Sequence, residues 1–309
     1  MALTNPNLTT EQIRDVNVRY HDAAAESYDS KWAIDYGPVG ARQVLMKLGK
    51  ALGHEPGRYP RALEIGAGTG YFTINLLRHG VIEQATATDI SPGMLRRLGS
   101  TAEELGLEVA TTCADAEHLP FEDRSFDLVF GHAVLHHVPD LSVAMAEFRR
   151  VLAPGGTLAF MGEPSRHGDR LAIAPKRVGA ITAPVWRRLV GAQPKVERPS
   201  EDPVVRDGSW ELEQLVDAHT FTPDELADLA RNAGFEGVRV SGEELVANGY
   251  GWLLRSLEAR VEPGSVPLGW HKFAFRSYLA LQRLDSALLE PRLPASLFYN
   301  LLLSGRKPG

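Results

Sequence analysis

The chain has a single cysteine, Cys113, in 309 residues. That excludes an internal disulfide, a cysteine-based zinc cage and an iron–sulfur cluster. No run of 18 uninterrupted apolar residues occurs, so no segment is expected to span a bilayer. Met1 to Asn7 has neither a basic n-region nor an apolar h-region, so it does not read as a signal peptide. The 29 glycines and 20 prolines follow no period, which excludes a repeat architecture. Excess positive charge is also missing: the net charge of −6 argues against nucleic acid as a bulk partner. With 44% hydrophobic and 23% charged residues, the composition is that of an ordinary soluble globular protein, and a cytoplasmic one is expected. The length allows one large domain or two smaller ones.

What is present is clearest between Tyr59 and Ser165. Short apolar runs at 62–65, 85–88, 107–112, 126–130 and 157–161 read as strands, and helical patterns lie between them. Ser91 reads as an N-cap with Pro92 at the first helical position of a helix to about Leu105. A second helix runs from about Leu141 to Leu152, followed by a turn at Pro154-Gly155-Gly156. Such alternation indicates βαβ units and a parallel sheet. After Ser165 the rhythm breaks. Residues 166–218 carry no strand alternation, and Pro184 should kink or interrupt any helix there. Thr222-Pro223-Asp224-Glu225 opens a helix that ends at Gly234, before a strand-like 236–240. Residues 248–293 are again helical and aromatic, and Ser296–Leu303 is a closing strand ending at Ser304-Gly305.

This divides the chain into an N-terminal helical cap (1–60), a core (61–165) and a basic helical insertion (166–218). A core helix and strand (219–245), an aromatic helical insertion (246–294) and a final core strand (295–309) follow. None of the five tryptophans lies in 60–165: Trp32 precedes the core, and Trp186, Trp210, Trp252 and Trp270 fall in the insertions. Either they anchor the insertions or they line an apolar substrate pocket.

A glycine-rich turn between strand and helix lets a ligand approach the backbone at the carboxyl ends of the strands. The pattern here is Glu64-x-Gly66-x-Gly68-x-Gly70. A dinucleotide fingerprint would need glycine where Tyr71 stands, and no Gly-Lys-Ser/Thr ends the turn as a P-loop requires. Asp89 ends the second strand, where a carboxylate can accept from both hydroxyls of a ribose, or else cap the next helix. Asp115 follows the third strand, placed to accept from an exocyclic amine such as that of adenine, or else to serve a turn.

Residues 63–70 (LEIGAGTG), 88–95 (TDISPGML) and 115–121 (DAEHLPF), followed by 125–129, 135–138 and 150–158, resemble class I S-adenosylmethionine-dependent methyltransferases. The branch they look nearest is that of the ubiquinone and menaquinone biosynthesis methyltransferases; residues 24–29 and 221–235 continue the likeness. The resemblance covers roughly half the chain and leaves both insertions unmatched. It implies a Rossmann-like, doubly wound α/β fold. The seven-stranded sheet would have the order 3-2-1-4-5-7-6 with the last strand antiparallel, under helical lid insertions.

It also implies S-adenosylmethionine as cofactor. Gly66, Ala67, Gly68, Thr69 and Gly70 would surround its methionine moiety, with Glu64 near the ammonium. Asp89 would hold the ribose, Ile90 and Met94 would flank adenine, Asp115 would take the adenine amine, and Ala116 would offer its backbone N–H. Tyr28 would close over the cofactor, its ring favouring the sulfonium.

His132 and His136 stand four apart, but Ala133 occupies the place where a zincin-type site needs glutamate, so no metal is expected. His136, His137 or His132 follows the fourth strand as a candidate general base, with Glu163 and His167 as rivals. Between Arg166 and Arg198, eight Lys/Arg face only two acids, and Val178, Ile181, Val185 and Leu189 give the same stretch an apolar helical face. A solvated face, an anionic substrate group and an anionic membrane surface are the three explanations. The function expected is methyl transfer to an apolar or aromatic small molecule: a quinone, polyketide or other secondary metabolite. Non-methylating chemistry of the cyclisation type and non-catalytic cofactor binding on the same fold are the alternatives.

Overall fold

A computed structural model of the chain describes residues 9–26, 28–32, 34–195, 218–262 and 264–309. Trp210, Glu197 and Arg198 lie outside them. Seven strands form one sheet: β1 (Tyr59–Ile65), β2 (Ile82–Asp89), β3 (Ala110–Cys113), β4 (Phe126–His132), β5 (Leu152–Pro164), β6 (Glu236–Glu243) and β7 (Asn300–Arg306). Their order is β3-β2-β1-β4-β5-β7-β6, the order the resemblance implies. β1, β2, β3, β4 and β5 pair in parallel. β7 runs the other way: the N–H of Ser165, past the end of β5, donates to Tyr299 O at the start of β7. At the opposite end Gly155 N donates to Lys307 O, and Lys307 N to Gly156 O.

The chain divides into two compact units, the first comprising Met1–Glu163, Glu201–Ser241 and Leu302–Gly309. It carries α1 (Thr10–Ala24), α2 (Tyr28–Trp32), α3 (Pro38–Leu52), α4 (Tyr71–Arg78), α5 (Pro92–Glu104), α6 (Leu141–Val151) and, after α7 (Arg166–Val190) of the second unit, α8 (Pro223–Asn232). Local chemistry sets their limits. Ser91 caps α5 by accepting from Met94 N, and Pro92 occupies the first turn. Thr222 and Glu225 form a capping box at α8. Leu128, Phe130, Ala159 and Met161 are fully buried beside Phe72, Leu76 and Leu48, so the central strands are covered by apolar side chains. Each such large side chain contributes about 1.5–3 kcal/mol by leaving water.

The second unit, residues 164–200 and 242–301, contains α7 (Arg166–Val190), α9 (Val246–Glu258) and α10 (Leu268–Leu284). α7 packs on α9 through Gly179, where a Cβ would stand 2.7 Å from Leu253 O and Ser256 Cβ. Around that crossing Ala183, Trp186, Leu257, Val261 and Val266 form an apolar cluster, with Trp270 against it.

Four expectations need correction. α7 runs unbroken through Pro175 and Pro184. A proline inside a helix costs about 3 kcal/mol, and the long buried contact with α9 offsets it. Pro154-Gly155-Gly156 lies inside β5 rather than before it, because Gly155 and Gly156 are laddered to Lys307. The third strand begins at Ala110, since Gly106 turns in the left-handed region and Leu107 N still bonds back to Ala102 O. The last strand starts at Asn300 and passes through Ser304 and Gly305; residues 295–297 form a 3-10 turn instead.

Gly179→Leu is expected to separate α7 from α9. Its thermal unfolding, followed by tryptophan fluorescence, should show a midpoint well below that of the wild type, whereas an unchanged midpoint would mean that the close crossing is not needed.

Candidate functional site

β1, β2 and β4 run in parallel, so their carboxyl ends meet at one edge, where the turn after β1 is held by two carboxylates. Gly66, Gly68 and Gly70 all have positive φ, which favours glycine, but their surroundings differ. A Cβ on Gly66 would strike Val134, and one on Gly70 would strike Leu98; at Gly68 nothing lies within 4 Å. Gly66 and Gly70 are therefore required by packing, and Gly68 leaves open space over the backbone. Beside it Thr69 is buried with its Oγ1 unpartnered among the described residues. An orphaned hydroxyl next to open space fits a polar ligand laid against the turn. Ala67 N donates to Thr88 O, which closes the turn on β2.

Glu64 and Asp89 are both buried. Glu64 Oε2 accepts from Thr73 N at 3.0 Å and from Thr73 Oγ1, tying the end of β1 to α4. Burial raises its pKa to about 8, with the Asp89 charge adding to the rise. Asp89 Oδ2 accepts from Gly68 N and Oδ1 from Ser91 N, both at 2.8 Å. Asp89 thus fastens the glycine turn to the start of α5, the helix-capping role and the ligand role falling on one residue. Burial raises its pKa to about 6, against the Ser91 and Gly68 hydrogen bonds, and Asp22 adds to the rise. In α5 Met94 is buried and Ile90, just before it, half-buried.

At the end of β3, Asp115 Oδ1 accepts from Glu117 N at 3.0 Å. Arg14 of α1 reaches both acids, Nε 2.7 Å from Asp115 Oδ2 and Nη2 2.6 Å from Glu117 Oε2. Ala116 is half-buried in the same turn.

Past β4 the three histidines separate. His132 stacks on Phe72 at 4.7 Å. His136 and His137 sit in a 3-10 turn, their rings 4.0 Å apart. No helix carries His132 and His136 together, so the four-residue spacing does not put them on one face. Glu163, buried at the end of β5, gathers this turn: Oε1 accepts from Val134 N and Leu135 N, and Oε2 from His136 N and from His136 Nδ1 at 2.8 Å. Burial pushes its pKa up, but the His136 hydrogen bond and charge and the backbone N–H groups outweigh it and hold the carboxyl low. A neutral imidazole that donates from Nδ1 keeps its lone pair on Nε2. In the neutral ring the ionised Glu163 would thus hold the hydrogen on Nδ1; His167 belongs to the second unit, where it is exposed in α7.

The N-terminal segment contributes residues that the sequence pattern does not single out. Asp22 Oδ1 accepts from Ser91 Oγ and from Gly93 N at 2.7 Å, capping α5 from α1. His21 places its ring 5.5 Å from His137 and 6.4 Å from Tyr28, which also packs against Trp32. Tyr36 donates to Thr69 O at 2.8 Å, and burial pushes its phenol pKa up. Their only sequence signal is polarity at helix ends; their roles depend on contacts with residues far along the chain.

Comparison with known proteins bears on this edge. Residues 63–160 match the methyltransferase domain family. The malonyl-[acyl-carrier protein] O-methyltransferase of Halorhodospira halophila is 35% identical over 211 residues, covering 66% of this chain and 64% of that protein. The chain therefore spans just under two thirds of that relative's length. Among solved structures, phosphoethanolamine N-methyltransferase 2 of Haemonchus contortus superposes with a TM-score of 0.59 at 19% identity, over 99% of this chain and 62% of that one. The [4+2]-cyclase SpnF superposes with a TM-score of 0.54 at 19% identity, over 97% and 96%. At these identities the structures establish a shared Rossmann-like fold.

The raised pKa of buried Glu64 has a stability consequence. Its folded-state pKa, about 8, lies above the ordinary carboxylate value of about 4.3, so the folded state holds the proton more tightly. Its contribution is full below pH ~4 and is lost as pH rises toward 8. Urea midpoints between pH 5 and 8 test this: the stability of wild type relative to Glu64→Gln should fall steadily across the window, and parallel curves would contradict it.

Proposed function

We propose that the chain transfers the methyl group of S-adenosylmethionine, and that its acceptor is a carboxylate oxygen of a malonyl-type acyl group held on a carrier protein. The observation that carries the first half is that residues 63–160, which match the methyltransferase family, contain the glycine turn with open space at Gly68 and the buried Asp89 beneath it. Gly66 to Gly70 would bound the methionine portion and Thr69 Oγ1 would supply a polar contact. Glu64 stands behind the turn, fixing α4, and would ionise when an ammonium faces it. Asp89 retains acceptor capacity on both oxygens for ribose hydroxyls. Asp115 and the Ala116 N–H would take the adenine edge, between Ile90 and the first turn of α5 at Met94. Tyr28 would cover the site together with His21. The sulfonium supplies an activated methyl group when the cofactor is bound, so the protein's task is alignment of an in-line displacement.

The acceptor half rests on the relative that acts on malonyl-[acyl-carrier protein]. A carboxylate is already ionised at neutral pH and needs no base: the methyl leaves sulfur for oxygen, giving a methyl ester. The aromatic small-molecule acceptor has less support, because the tryptophans of the second unit are committed to packing. Trp186 and Trp270 meet edge-to-face at 5.3 Å within the apolar cluster, and Trp252 packs on Tyr299 under the ammonium of Lys176. One observation does favour a different acceptor. Glu163 and His136 form the arrangement of a general base, which a hydroxyl acceptor would require and a carboxylate would not. The fold does not choose between methyl transfer and cyclisation, so product mass decides that point.

Incubation with methyl-labelled cofactor and malonylated carrier protein should place one labelled methyl on the acyl group. Label appearing only on hydroxylated aromatic acceptors would favour the second acceptor. A product with no gain in mass would overturn methyl transfer. His136→Ala should leave turnover on the malonyl acceptor within about threefold; a loss of about 10²-fold or more, the scale of general-base catalysis, would assign His136 as the base. Asp89→Ala is expected to weaken S-adenosylhomocysteine binding by about 1.5–3 kcal/mol, the range for a charged hydrogen bond. Calorimetry giving wild-type affinity in a folded variant would remove Asp89 from the site.

A further inference from the structure

The apolar side of α7 is not a core face. Ala172, Gly179, Ala183 and Trp186 form its buried side, whereas Leu171 is 52% exposed, Val178 51%, Ile181 77%, Val185 60% and Leu189 81%. At 3.6 residues per turn these five aliphatics fall within about 80° of the helix surface and extend about 27 Å along it. Arg170, Arg177 and Arg188, all exposed, lie within about 40° of one edge of the stripe by the same geometry. The one acid of the helix, Asp169, is paired with Lys176 at 3.6 Å. A charge run that is merely solvated explains the arginines but not a continuous row of exposed aliphatics beside them.

We propose that α7 is an interfacial membrane helix that docks the protein on an anionic lipid surface. The aliphatic stripe would enter the boundary between headgroups and acyl chains, with the arginine row meeting lipid phosphates. The pairing of apolar stripe and basic edge, in a chain whose net charge is −6, selects this occupant. A second copy of the chain is a poorer fit, because antiparallel stripe-to-stripe pairing brings together two arginine rows, and the one acid of α7, Asp169, is already paired with Lys176. The helix lies on the membrane rather than crossing it: among the described residues no helix is long and apolar enough to span one. The inference is independent of the reaction proposed above.

The test is cosedimentation of the full chain with vesicles of phosphatidylcholine alone and of equal parts phosphatidylcholine and phosphatidylglycerol. Wild type should partition onto the mixed vesicles, weakly onto phosphatidylcholine, and be released by added salt. Ile181→Asp with Leu189→Asp, at two solvent-facing positions, should lower partitioning by about tenfold or more with the thermal midpoint unchanged. Arg177→Gln with Arg188→Gln should abolish the preference for phosphatidylglycerol. Wild type remaining in the supernatant, or the double aspartate variant sedimenting like wild type, would overturn the proposal. So would a wild-type dimer that the aspartates convert to monomer while neither form binds vesicles, which would make the face an interface between copies.

Discussion

The hydrogen bond from Gly68 N to Asp89 Oδ2 joins the turn after β1 to the end of β2, and much of the candidate site depends on it. Because β1 and β2 are parallel and adjacent, their ends lie side by side, and one carboxylate can bridge them. The same carboxylate reaches Ser91 N, so the start of α5 is set by the bond that sets the turn. Displacing Asp89 would release three elements together. Holding a carboxylate in so dry a place costs free energy, visible in its raised pKa. The backbone N–H groups of Gly68 and Ser91 offset part of that cost.

Two other buried carboxylates repeat the device with different outcomes. Among the described residues Glu64 accepts from Thr73 alone and is pushed up to about 8, so it is mostly protonated at neutral pH. Glu163 is equally buried, yet it collects three backbone N–H groups and an imidazole and is held low. The contrast is a matter of donor number and charge, since burial is common to both. Glu163 is thereby kept as an anion that positions His136, while Glu64 gains charge readily only if a cation comes near.

Most of the first unit could be read in the sequence because its signals are local. The glycine turn, the Ser91–Pro92 start and the Thr222–Glu225 box each lie within a few residues, and the structure places all three at the expected boundaries. The failures are long-range. Gly155 and Gly156 look like a turn until Lys307 is laddered to them. Pro184 should break a helix, but α7 is carried through by its contact with α9. The apolar face of α7 was legible as periodicity, yet periodicity cannot say whether a face meets a core or solvent. Arg14, Asp22 and His21 carried no motif at all, because what they do depends on partners 69 or more residues away.

The neighbours in fold include a methyltransferase and a cyclase, so the fold by itself leaves the reaction to the residues it carries. We therefore propose that the edge formed by Gly68, Thr69 and Asp89 is a nucleoside site selective for the S-adenosyl group. Isothermal titration of the wild-type chain with S-adenosylhomocysteine, with NAD as the comparison, tests it most directly. One-to-one binding of S-adenosylhomocysteine and no binding of NAD is the predicted result; a folded chain that gives no heat with S-adenosylhomocysteine, or that prefers NAD, would contradict it.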